Sequence, residues 1–334
     1  MNILKDSDLK TFEQLCSLSQ GGMQKTLNTY LKSKYKRVVS TRDYIYAIGD
    51  IPIALVAHMD TVFPKPAEEI FYDRRKNVIW SPDGLGADDR AGIFAIIQII
   101  RRGLRPHIIF TTDEEKGCIG ADRLARIKCP FKDLRYVIQL DRRGADDCVF
   151  YDCDNKEFVS YVEEFGFVEA IGSFTDICSF CPEWKVAGVN LSIGYQNEHS
   201  KSEVLYVGHM LNTIEKVCNM LNEKEIPSFK YIPMVYGDDT KWYGSDTKWY
   251  KCWKVTKPID KDDTHCSVCK KEFLSEELIP VNMADFSKKY MCIDCISKKA
   301  DFCNLCGEAY EITEKNKLIP GICEDCYCDL YRGY

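Results

Sequence analysis

The chain has 334 residues, 45% hydrophobic and 29% charged, which reads as a soluble, globular protein with room for one large domain and a smaller one. No run approaches the ~18 apolar residues that a membrane span needs, and the opening "MNILKDSDLK" lacks the apolar core of a signal peptide, so a cytoplasmic protein with no membrane partner is expected. The formal net charge of −6 gives no overall pull toward nucleic acid.

Residues 1–40 mix polar and apolar residues at helical spacing, in "LKTFEQLCSL" and again in "MQKTLNTYLKSKY". "DYIYAIG" and "IPIALVAH" follow as strands, and "NVIWSPDG" is a strand running into a turn. "DDRAGIFAIIQIIRRG" predicts a helix with a broad apolar face, ending at Gly103. "HIIFTTDEE" reads as a buried strand, "ADRLARI" as a short helix and "LRYVIQLD" as another strand. "KVAGVNLSIGY" is a further apolar strand, and "HMLNTIEKVCNMLNEK" an amphipathic helix. Strands alternating with helices imply an α/β sandwich with a largely buried sheet over residues 1–225.

Residues 226–262 break this pattern and hold a tandem repeat, "GDDTKWY" then "GSDTKWY". Two copies are too few for a solenoid, so a linker is expected, with an aromatic–basic binding strip as the other reading.

Cysteine usage sets the last segment apart. The chain has 18 Cys and only 5 His, and eight of the cysteines form four C-x2-C pairs after residue 265. Residues 263–334 repeat internally, each half carrying C-x2-C, an aromatic, "LIP" and a second C-x2-C. Cys266, Cys269, Cys292 and Cys295 make one four-cysteine set, and Cys303, Cys306, Cys323 and Cys326 the next. These spacings fit two structural zinc ions with every position closed by thiolate. They resemble tandem treble-clef or LIM-like zinc fingers, with ligation in sequence the first reading and a cross-brace the other. Such a module is held by its metals rather than by a large core. A protein partner is its first expected role, nucleic acid the second, and a structural appendage the third.

Polar residues cluster at the ends of the apolar strands of the first domain. His58 and Asp60 follow "IPIALVA", Asp88 and Asp89 sit in "GLGADDRAG", Glu114 and Glu115 in "TTDEEKG", Asp141 closes "YVIQLD", and His199 follows "SIGYQNE". Ligands bind at the carboxyl ends of strands in open α/β sheets. So many carboxylates in one place require a cation. Two His with several carboxylates suit zinc, manganese or cobalt, and a shared carboxylate makes a two-metal site.

"HMDTV", "GADDRAG", "DEEKGCIGA", the strand-end Asp and the late "HSKSE", in this order over about residues 45–210, resemble the di-zinc aminopeptidase, tripeptidase and carboxypeptidase clan. The resemblance implies a three-layer α/β/α domain with a mixed central sheet. It implies that His58 and Asp141 bind one zinc, Glu115 and His199 the other, and that Asp88 bridges them beside a cis peptide to Asp89. Asp60 then orients His58, and Glu114 is the general base that moves a proton from the metal-activated water to the leaving amine. A peptide, through an aminopeptidase-like cleavage, is the expected substrate. N-acylated small molecules are the alternative, and a non-catalytic binding protein on this scaffold is the rival from another class.

Other residues read less sharply. Arg142 is a candidate for holding a substrate anion, and Asp176 in "FTDICSF" a candidate substrate-side residue as well as a turn or cap. His107 reads as a solvated strand-start residue and His209 as structural. Only 57 residues separate Asp141 from His199, too few for the lid or dimerisation domain of larger clan members, so an open cleft is expected.

Overall fold

In the computed structural model the described residues are 3–234, 265–272, 278–283, 288–302 and 309–312. They fall in two units, Met1–Thr240 and Lys241–Tyr334. Among them, no helix is long and apolar enough to cross a membrane.

The first unit opens with α1 (Asp6–Cys16) and α2 (Gln20–Lys32). Ser19 caps α2 by accepting from the Gly22 N–H. The helical reading of residues 1–40 stops there. Arg37–Ser40 is an edge strand, β1, whose two valines suit extended backbone, and it pairs antiparallel with β2 (Tyr44–Ile48). β3 (Ile51–His58), β4 (Phe71–Asp73), β5 (Val78–Trp80), α3 (Ala87–Arg101), β6 (Pro106–Thr111), α4 (Ile119–Ala125) and β7 (Tyr136–Arg142) follow. Next come β8 (Asp147–Val149), α5 (Lys156–Glu164), β9 (Val168–Glu169), α6 (Asp176–Trp184), β10 (Gly188–Ser192), β11 (Tyr195–Gln196), β12 (Val204–Tyr206) and α7 (Val207–Leu221).

Eight strands form one mixed sheet in the order β1-β2-β6-β3-β7-β10-β8-β9. Its centre, β6-β3-β7-β10, is parallel. Both faces are covered. Along β3, Ile53, Leu55 and Ala57 join the core built with α1, α2, α3, α5 and α7, while Ala54 and Val56 turn to the core built with α4 and α6. Period-two alternation between two apolar faces is what makes the strand read as a continuous hydrophobic run. The result is the three-layer α/β/α arrangement that the motifs implied. A second, four-stranded sheet, β11-β12-β5-β4, is separate from the central one.

Two expectations change here. Residues 226–234, read as the start of a linker, pack on the first unit instead. Phe229 is 8% exposed, its N–H donates to Arg135 O, its carbonyl accepts from Ala187 N, and its ring lies against Tyr136, Phe158 and Tyr161. His107 is not solvated. It is 5% exposed, stacks on Phe131 at 4.4 Å, and its Nδ1 accepts from the Gly49 N–H.

In the second unit β13 (Ile279–Asn282), β14 (Lys288–Met291), β15 (Ala300–Phe302) and β16 (Ala309–Glu311) form a sheet ordered β14-β13-β16-β15, with α8 (Ile293–Lys299) following Cys292. Its small core holds Leu278, Val281, Met291, Ile296, Ala300 and Ala309 together with Cys266, Cys292 and Cys295. The "GxDTKWY" repeat and the second four-cysteine set, Cys303, Cys306, Cys323 and Cys326, lie outside the described residues.

Candidate metal centre

β3 ends at His58, buried completely. Its Nε2 is 2.9 Å from Asp88 Oδ1 and 3.5 Å from Asp141 Oδ1. On the far side of Asp88, His199 Nε2 is 3.3 Å from Asp88 Oδ2 and 3.0 Å from Glu115 Oε2. The two oxygens of one carboxylate therefore face two different donor sets. His58, Asp88 and Asp141 each offer a ligand atom in one cluster, and Asp88, Glu115 and His199 in the other, with the atoms of each cluster within 4.8 Å of one another. Each cluster holds one imidazole and one carboxylate besides the shared Asp88, a donor set that fits divalent zinc, manganese or cobalt.

The local chain explains each placement. Asp88 sits just after Gly86, whose φ of 65° lies in the left-handed region, and the Asp88–Asp89 peptide is cis. Asp88 and Asp89 have non-helical backbone, so the regular part of α3 begins after them and both carboxylates are free to turn inward. Gly92 lies where α3 crosses β7: a Cβ there would meet Leu140 O and the Asp89 carboxylate. Glu114 and Glu115 follow β6 in a turn opened by Asp113 at φ 53°.

Asp60 does more than face one ring. Its Oδ1 is 3.3 Å from His58 Nδ1, and its two oxygens accept from the Glu114 N–H at 3.0 Å and the Glu115 N–H at 3.1 Å. One side chain thus fixes the imidazole and the turn that carries the adjacent glutamates. Asp89 accepts from the His58 N–H and the Gly92 N–H, tying the end of β3 to the start of α3. Glu114 groups with His58 and Glu115 at the metal cluster, and the Cys118 thiol lies 3.5 Å from its Oε1.

The electrostatics follow from burial and crowding. Burial pulls the His58 imidazole down, but Asp141, Asp60 and Asp88 around it outweigh that and hold it well above its ordinary value. Burial pushes Asp88 up, and His199 and His58 reverse this, leaving it below the usual carboxylate range. The Asp88 and Glu115 carboxylates raise His199 to about 11. Burial pushes Glu114 well above the ordinary range and raises Asp141 to about 6. Groups this strongly perturbed and this close single the cluster out as a candidate functional centre.

Several residues that hold the site were not singled out from the sequence. Glu203, 1% exposed, accepts from the Gly86 N–H at 2.6 Å and the Asp88 N–H at 3.0 Å, fixing the bridging aspartate from behind. Burial pushes its carboxyl to about 7, against the pull of those N–H groups. Its signal was present as the last residue of "HSKSE". Asp141 is held by Tyr195 O–H on Oδ1 at 3.1 Å and by Gln139 Nε2 and Thr175 O–H on Oδ2. Arg90 is 4% exposed and donates to Met59 O and Leu18 O, clamping the carboxyl end of β3.

Of the two candidate substrate residues, Asp176 is fully buried at the start of α6, where one carboxylate oxygen accepts from the Thr111 hydroxyl and the other has no hydrogen-bond partner among the described residues. Arg142 donates to Ile171 O and lies 3.5 Å from an Asp147 oxygen.

In the second unit the sulfurs of Cys266, Cys269, Cys292 and Cys295 converge within 4.8 Å, so the first two C-x2-C pairs meet in sequence. Cys266 opens a turn closed by Lys270 at φ 61°, and Cys292 caps α8. The Cys292 N–H donates to Cys266 Sγ at 3.4 Å. Burial opposes ionisation of Cys266, but backbone N–H groups of Cys269, Cys292 and Val268 lower it to about 6, toward the thiolate a metal needs.

Residues 46–161 match the model of peptidase family M28. No curated protein matches the chain. Among solved structures, a tripeptidase from Staphylococcus aureus is 14% identical, with a TM-score of 0.54, over 66% of this chain and 98% of that one. A TET aminopeptidase from a marine-sediment Thaumarchaeota archaeon is 14% identical, with a TM-score of 0.53, over 66% and 98%. Aminopeptidase PepT from Bacillus cereus is 15% identical, with a TM-score of 0.50, over 66% and 98%. At these identities the structural likeness speaks for the fold, while the family model covers the stretch that supplies His58, Asp60, Asp88, Glu114, Glu115 and Asp141. Residues 46–161 are thus similar to peptidase family M28, on a fold shared with aminopeptidase and tripeptidase structures, and this likeness supports a metal-dependent peptidase.

Proposed function

We propose that the first unit holds two zinc ions, with manganese or cobalt as alternative occupants, and removes residues from the amino end of a peptide. The observation that carries this reading is the Asp88 carboxylate, with Oδ1 facing His58 and Asp141 and Oδ2 facing His199 and Glu115. Bound metals supply polarisation of the scissile carbonyl and a lowered pKa for the attacking water. Glu114 takes the proton from that water and gives it to the leaving amine. Asp60 keeps the His58 ring oriented while it holds Glu114 and Glu115 in register. Asp141 is kept from swinging by Tyr195, Gln139 and Thr175.

The residues between Asp141 and His199 go into β8, β9, β10 and their helices, not into an inserted lid. This supports a cleft completed by one chain and open to short peptides. In the second unit the four converging sulfurs support a structural zinc, and a second zinc is proposed for Cys303, Cys306, Cys323 and Cys326. That module is proposed to bind a protein partner.

The test is a substrate panel of aminoacyl amides and short peptides with free amines, set beside N-acylated amino acids. Turnover of the free-amine set, lost when the amine is acylated, is expected. Preferential turnover of the acylated set would replace the aminopeptidase reading with an amidase one.

A further inference from the structure

The metal ligands occupy the carboxyl ends of β3, β6 and β7. At the opposite end of the same sheet, where the chain enters β7 and β10, lies a second cavity of about 580 Å³. β7 spans seven residues, so this cavity is about 20 Å from the metal cluster along the strand. Its size suits a small organic ligand.

Its chemistry is one-sided. Lys128, Lys132, Lys185 and Lys230 line it, and no Asp or Glu does. All four lysines are exposed, and among the described residues none pairs with a carboxylate. Four ammonium groups around one cavity repel one another until an anion enters. The overall charge of −6 makes such a local cluster the more unusual.

The walls are rigid and partly aromatic. Phe131 and Phe229 are buried in the floor, and Trp184 is half-buried at the side. The Trp184 indole N–H donates to Ile127 O at 3.0 Å, and its ring meets Phe131 edge-on at 6.1 Å. Backbone bonds tie the segments that carry the lysines: Tyr231 N–H to Lys185 O, Phe229 N–H to Arg135 O, and Ala187 N–H to Phe229 O. Lys185 closes α6 at φ 58°, a left-handed position where glycine or asparagine is the usual residue. Lys185 thus lines the cavity beside three other lysines that have no carboxylate partner among the described residues.

We propose that this cavity binds a nucleotide, the lysines taking the phosphates and the Trp184 side taking the base. Lysine is a natural partner of phosphate as a point charge, and aromatic side chains take bases by stacking. The proposal stands apart from the peptidase reading, because it uses no residue of the metal cluster.

The test is calorimetric titration of the full-length, metal-loaded chain with magnesium-loaded ATP, at low salt and then at rising salt. Inorganic triphosphate and adenosine are run as separate arms. Saturable ATP binding is expected, tighter than either arm and weakening with salt. The double variant Lys185→Asn, Lys230→Gln keeps the left-handed backbone accessible at position 185, and it is expected to bind ATP about tenfold more weakly or worse, the scale of losing charge-assisted bonds. An unchanged melting temperature of this variant shows that it is folded. No saturable ATP binding, equal binding of inorganic triphosphate and ATP, or an unaffected double variant would overturn the proposal.

Discussion

Replacing Glu203 by Gln removes one acceptor from a carboxylate that receives two N–H bonds in a site 1% exposed, at 2.6 Å from Gly86 and 3.0 Å from Asp88. A glutamine oxygen keeps one bond, and its amide nitrogen then faces the other N–H as donor against donor. A bond to a charged group contributes about 1.5–3 kcal/mol, and leaving a buried N–H unmet costs a similar amount, so a stability loss of about 2–3 kcal/mol is expected. The freed N–H is that of Asp88, whose two oxygens face the two clusters. Loss of such an orienting partner typically lowers metal affinity about 10–100-fold. The assay is zinc retention against a graded chelator, read beside thermal unfolding at mildly alkaline pH, where the Glu203 carboxyl is ionised. A variant that unfolds as wild type does and holds zinc as tightly would refute the role of Glu203 as the brace of Asp88.

Gly92→Ala is expected to destabilise the chain by about 3 kcal/mol or more, because the new methyl meets Leu140 O and the Asp89 carboxylate in a packed crossing; chemical denaturation measures it. His107 gives a pH signature. Burial lowers its pKa to about 4 from 6.5, so the unfolded chain binds more protons between those values. Its contribution is complete above about 6.5, falls as the pH drops toward 4, and amounts to at most about 3 kcal/mol. His107→Asn, which keeps an acceptor for the Gly49 N–H, is expected to show a shallower loss of melting temperature across that window than wild type, and equal slopes would contradict the assignment. Cys269→Ser is expected to release the zinc of the first four-cysteine set while peptide hydrolysis persists; loss of hydrolysis with that metal would show that the two units are not independent in function.

The candidate metal centre was legible because its residues break a pattern. A His, an Asp or paired Glu at the end of an apolar strand has no place in a buried sheet unless something binds there, and each of His58, Glu115 and Asp141 follows such a run. The supports were not legible, because they arrive from distant segments. Tyr195 and Thr175 reach Asp141 across more than thirty residues, and only the folded sheet brings them together. His107 looks solvated until Phe131, far along the chain, stacks on it. β1 is a four-residue edge strand whose identity lies in its pairing with β2, not in its own spacing. "IPSFKYIP" falls in the stretch read as a linker, yet Phe229 is pinned between Arg135 and Ala187 by hydrogen bonds that no local pattern announces.

The most direct measurement is metal content and peptide turnover for wild type and Glu114→Gln side by side. The account predicts equal metal in both, two equivalents at the catalytic clusters beyond those held by cysteine, with turnover reduced about 10²–10⁴-fold in the variant, the usual size of a general-base contribution. Turnover that survives the substitution at full metal occupancy, or a wild-type chain that holds metal only through its cysteines and hydrolyses nothing, would contradict it.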